Sequence, residues 1–84
     1  MKYICTKSED DKTEIFTFPN TINHDDMMEA ICLIKKSSFN NWERILRVPV
    51  SAGFVSSDNK CHGRSETLGL DSREQEDTAL LMMQ

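Results

Sequence analysis

Two short, largely apolar segments near the start of the chain flank a polar run. Lys2 to Thr6 and Glu14 to Pro19 are rich in aromatic and β-branched residues, and the polar run Lys7 to Lys12 separates them. This pattern predicts two strands joined by a hairpin loop. In the second segment Phe16 and Phe18 share one face and Ile15 and Thr17 the other, so the phenylalanines are expected toward the core. Pro19 and Asn20 stop the strand.

The period then changes. Met27, Ile31 and Ile34 follow helical spacing, with Met28, Cys32 and Leu33 widening the apolar stripe, as a helix laid across a small sheet requires. Asn23 is placed to cap this helix, and Ile22 and Met27 have the spacing of a hydrophobic staple. Asp25 and Asp26 suit its positive end, Lys35 and Lys36 its negative end.

Past the polar loop Ser37 to Asn41, alternation returns from Ile45 to Val55, the longest predicted strand. Leu46, Val48, Val50, Ala52 and Phe54 fall on one side of it. Pro49 has no amide hydrogen and belongs at an edge or an interruption of the ladder, and Gly53 is the expected place for a bulge. Trp42 is expected to anchor the entry to this strand against the core. Ser57 to Lys60 reads as a turn that sends Lys60 to Arg64 back as a short fourth strand.

A helix is expected after Ser72, which with Gln75 resembles a capping box; Glu74, Glu76 and Asp77 favour its N-terminal end. The run Ala79 to Met83 has no clean period, and it also fits a frayed tail or a strand that adds to a partner. The element order is β, β, α, β, β with a C-terminal helix. That is an α+β fold: a small antiparallel sheet with a helix packed on one face.

Eighty-four residues make a single domain, 1–84, and a domain of this size hides only about 60 to 65% of the surface of its unfolded chain. Self-association would relieve that shortage, and the cluster Ala79, Leu80, Leu81, Met82 and Met83 offers a face for a homodimer. No run approaches the roughly 18 apolar residues of a membrane span. Met1 to Thr6 turns polar before a leader could develop. The odd, widely spaced Cys5, Cys32 and Cys61 fit a reducing cytoplasm.

Fourteen acids against ten bases give a formal charge of −4, which disfavours a protein that gains affinity by neutralising many phosphates. It is also too little negative charge for a mimic of DNA. A small nucleic-acid-binding regulator would have to gather Arg44, Arg47, Arg64 and Arg73 on one side.

Most of the reactive and turn-forming residues fall in Cys61 to Arg73. No C-x-x-C or H-x-x-x-H is present, and adjacent Cys61 and His62 would point to opposite faces of a strand, so neither a metal nor another cofactor is expected. The same geometry denies Cys61 its base. Gly63-Arg64-Ser65-Glu66-Thr67 has threonine where a nucleophile elbow needs its second glycine, and Gly63 and Gly69 match no phosphate-binding loop. No enzymatic activity is expected. The tract reads instead as a structured connection. Gly63 lets the strand leave the sheet, Ser65 or Thr67 bonds loop backbone, and Leu68 and Leu70 tuck into the core around Gly69. Arg64, Glu66 and Arg73 would pair as a loop clamp, or contact a partner; Arg44 and Arg47 complete the candidate contact residues.

The tract Cys61 to Arg73, followed by Asp77 and Leu80-Leu81, resembles a group of small proteins encoded by bacteriophages and prophages. Asn41-Trp42-Glu43-Arg44 and Val50-Ser51-Ala52-Gly53-Phe54 share the resemblance, which covers about half of the chain. It carries no settled activity or binding site. It implies a protein that binds a host protein or complex, such as a defence or transcription machine, and inhibits or modulates it sterically.

Overall fold

Four consecutive residues near the start, Tyr3, Ile4, Cys5 and Thr6, have no exposed surface. Neighbours on a strand point to opposite faces, so this strand must be covered on both sides, and that requirement shapes the rest of the fold. The computed structural model describes residues 1–35, 42–44 and 47–83, and only the backbone of 33–35 and 42–44. In chain order the elements are β1 (Lys2–Ser8), β2 (Thr13–Phe18), α1 (His24–Cys32), β3 (Leu33–Lys35), β4 (Trp42–Arg44), β5 (Arg47–Val55), β6 (Cys61–His62), β7 (Arg64–Ser65), β8 (Leu70–Asp71) and α2 (Glu74–Met82).

The main sheet is antiparallel with the order β2-β1-β5-β6. On one face Ile4, Phe18 and Ala52 pack with Met28 and Ile31 of α1, and Phe16, Met27, Leu68 and Leu70 extend this cluster. On the other face Tyr3, Cys5, Ile15 and Cys61 pack with Val50, Val55 and, from α2, Leu80 and Leu81. The α+β class and the element order agree with the sequence reading. The C-terminal helix covers the second face of the sheet, which is why Ile15 is buried as well as Phe18.

Several local expectations change. The helix predicted to run on toward Lys36 ends at Cys32, and Leu33–Lys35 pairs instead with Trp42–Arg44. The unbroken apolar run Ile31 to Ile34 has no helical period, and a ladder satisfies its backbone equally well. Lys36, the loop Ser37 to Asn41, Ile45, Leu46 and the side chain of Trp42 lie outside the described residues.

The bulge sits at Val50 rather than Gly53. Cys5 pairs with Ser51 but Thr6 with Pro49, leaving Val50 as the extra residue, where proline's missing donor already interrupts the ladder. The bulge turns Val50 toward α2 while Ala52 faces α1, so the expected common face of Val48, Val50, Ala52 and Phe54 is split. Val48 is exposed. Gly53 stays in regular register opposite Tyr3. A Cβ there would run into the backbone carbonyl of His62, so the residue's smallness permits the close approach of β6.

Candidate functional site

The tract from Cys61 to Arg73 folds as two short pieces of strand, a hairpin and a helix start. The single strand expected over Lys60 to Arg64 breaks at Gly63, whose φ is 78°. β6 remains with β5, while β7 folds onto β8 through Arg64↔Asp71 and Ser65↔Leu70. Gly63 carries its carbonyl toward Ser72, which donates its backbone N–H at 3.0 Å and ties the two ends of the hairpin together. Inside the hairpin the buried Ser65 Oγ accepts from Leu68 N at 3.2 Å. Gly69, with φ of 65°, turns the chain between Leu68 and Leu70, and both leucines reach the α1-side core.

This hairpin brings Arg64 and Glu66 to one rim of a recess of about 370 Å³. Thr67 stands beside them, and Lys2, Asn23, His24 and Phe54 form the remaining wall. Lys2 Nζ donates to the Ile22 carbonyl at 2.9 Å. His24, the first residue of α1, is 4% exposed, with Nε2 2.9 Å from the Gly53 carbonyl. A carbonyl only accepts, so Nε2 carries the hydrogen. The rings of Phe18 and Phe54 stand nearly perpendicular to its own, at centroid distances of 5.4 and 5.8 Å. The recess therefore has a rigid aromatic wall and a rim bearing both signs of charge.

The other candidate contact residues lie elsewhere. The clamp predicted among Arg64, Glu66 and Arg73 does not form among the described residues. Arg64 Nε pairs loosely with Asp71, at 3.7 Å. Arg73 lies past β8 at the entry to α2, where its Nη2 meets Asp77 Oδ1 at 3.1 Å and its Nη1 meets Glu76 at 3.1 Å. From there its Nε donates to Ser51 Oγ and its Nη2 approaches Cys5 Sγ. Arg47 reaches from β5 across β1 to β2, pairing with Glu14 at 3.0 Å above the ring of Phe16. Its Nε and Nη1 are buried with no hydrogen-bond partner among the described residues. Arg44 is in β4, and its side chain lies outside the described residues.

Cys61 and His62 diverge as their adjacency on a strand predicts: Cys61 is buried, and His62 is exposed and stacked on Phe54. Burial pushes the Cys61 thiol up, and the Cys5 thiol likewise, which is the reverse of an activated thiolate. Among the described residues, no three His, Cys, Asp or Glu side chains gather around a point that could hold a metal.

Sequence reasoning missed Asp77. The residue reads as an acid favouring the helix N-terminus, yet it is fully buried and accepts from Tyr3 Oη, from Arg73 N and from Arg73 Nη2. The predicted capping box is absent: Arg73 holds the N-cap position, without a side-chain cap. The spacing of Arg73 and Asp77, four residues apart on a helix, was a readable sign of their pairing; the burial of that pair was not. Comparison of the chain with protein-family models, with curated proteins and with solved structures finds no match.

Proposed function

We propose that this chain is a non-enzymatic protein-binding module that acts in the cytoplasm by occupying a partner's surface, with the Arg64–Glu66 recess as its contact face. One observation carries the reading: two exposed residues of opposite charge converge with Phe54 and His24 on a recess whose walls are pinned by hydrogen bonds. A pocket of this size accepts one large anchoring side chain, and a pinned hairpin presents its charges at low entropic cost. The resemblance to phage-encoded proteins supports a host nucleic-acid-processing or defence complex as the partner, inhibited or modulated by steric block.

A nucleic-acid-binding regulator finds less support. The guanidinium groups of Arg47 and Arg73 serve ion pairs within the fold, and the net charge is −4. The test is capture from a bacterial host lysate by the parent chain and by an Arg64→Glu, Glu66→Arg variant of equal stability. The reading expects a stoichiometric protein partner with the parent that the variant loses. Recovery of nucleic acid with steep salt dependence would favour the regulator instead.

A further inference from the structure

A second surface lies on the other side of the sheet. The last turn of α2 sends Leu80 and Leu81 into the core and leaves Met82 and Met83 at 74% and 85% exposure. Gln75, Thr78, Ala79 and Met82 of α2 line one wall of a groove of about 610 Å³. Their spacing places them on one helical face. Lys60, Cys61 and His62 form much of the opposite wall.

The groove has a polarity. Ser72 N bonds to the Gly63 carbonyl and Cys61 N to Thr78 Oγ1, so the chain through β6 runs antiparallel to α2. Glu74 therefore stands at the end near His62 and Gly63, and Lys60 at the other end beside Ala79 and Met82. Glu74 forms no ion pair among the described residues. Lys60 has Asp58 at 3.8 Å, with both side chains largely exposed, a type of pair that contributes little. The surface thus carries an acid at one end and, at the other, a base beside the exposed Met82.

A surface of this form is complementary to itself under a two-fold rotation, because the rotation exchanges its ends. We propose that it is an isologous dimer interface. Two α2 helices lie antiparallel, Met82 of each chain enters the groove of the other, and Lys60 faces the partner's Glu74. The occupant is a second copy of this chain, and the recess at Arg64 stays open on the opposite side of the sheet.

Sedimentation of the parent and variant proteins over a range of concentration tests this. The parent is expected to dimerise. Met82→Glu is expected to be monomeric with an unchanged circular dichroism spectrum, since the side chain it replaces is already in water. Lys60→Glu and Glu74→Lys should each weaken the dimer by roughly tenfold or more, as close charge pairs across interfaces do. Combining them should restore it, and Arg64→Glu should leave it unaltered. A parent that stays monomeric, a dimer indifferent to Met82→Glu, or a double variant no tighter than either single one would overturn the proposal.

Discussion

Tyr3 Oη donates to Asp77 Oδ2 at 2.5 Å, with both side chains fully buried, and so joins the central strand to the C-terminal helix inside the core. The same carboxylate accepts from Arg73 at its backbone and its guanidinium. Asp77→Ala would leave the buried Tyr3 hydroxyl without its acceptor, while the part-exposed Arg73 guanidinium keeps Glu76, at a cost of about 1–3 kcal/mol. Tyr3→Phe leaves the carboxylate its arginine donors and should cost about 1–2 kcal/mol. Urea unfolding of the two single variants and the double is expected to show strong non-additivity, because both remove the same bond.

Alkali should destabilise the protein through the groups around this bond. Burial, followed by the hydrogen bond to Asp77, pushes the Tyr3 phenol far up, and burial pushes up the Cys5 and Cys61 thiols. The folded state therefore retains protons that the unfolded chain releases above about pH 8.5 for cysteine and about pH 10 for tyrosine. Their contribution is complete below about pH 8.5 and is lost as pH rises, by up to about 1.4 kcal/mol per pH unit for each group. Thermal midpoints measured from neutral pH upward should fall accordingly, and Tyr3→Phe should flatten the fall above about pH 10. Tyr3 is the chain's one tyrosine, so phenolate absorbance should appear with unfolding and not before it.

The arginines of the tract should separate by role. Arg64 and Glu66 are exposed, and alanine at either is expected to alter stability by no more than about 0.5 kcal/mol. Arg73→Ala removes the guanidinium that Asp77, Ser51 and Cys5 share. It should cost about 3–5 kcal/mol by leaving a buried carboxylate short of its cation. Denaturant midpoints of the three variants, measured side by side, check this contrast.

Two glycines of the second half should respond differently to alanine. At Gly53 the added methyl collides with the His62 carbonyl, and the shift needed also disturbs the bond to His24, so a loss above about 4 kcal/mol is expected. At Gly69 the methyl meets nothing within 4 Å, but φ is 65°. The cost there should be about 1–2 kcal/mol, that of a left-handed L-residue. Thermal unfolding distinguishes the two.

Elements governed by local period were legible in the sequence. Phe16 and Phe18 declared β2, Met27 and Ile31 declared α1, and Gly63 and Gly69 marked the turns of the hairpin. The exposure of Arg64 and Glu66 on the turn-rich hairpin also followed from composition and turn chemistry. What escaped depended on partners distant in the chain. The burial of Ile15 requires α2 on the far face, and the turn of Val50 requires a register in which Thr6 skips to Pro49. Asp77 looks like an ordinary helix-start acid until Tyr3 is placed against it. Arg73 was expected in a clamp with Arg64 and Glu66 or on a partner, whereas two of the residues that hold it, Ser51 and Cys5, belong to other strands.

The central position of β1 bears on the order in which the protein can fold. This strand pairs with β2 across the short loop between Ser8 and Thr13, but its other edge waits for residues 47–54, and the Tyr3 hydroxyl waits for a residue 74 positions later. At about 5–20 residues per second, a ribosome takes roughly 4–15 s to supply that partner. Contacts of such long range slow folding, because loop closure must precede the energy it gains. During synthesis the first hairpin therefore stands with Tyr3, Cys5 and Ile15 on an uncovered face, and a nascent chain arrested before residue 77 would display the very surface that α2 later hides.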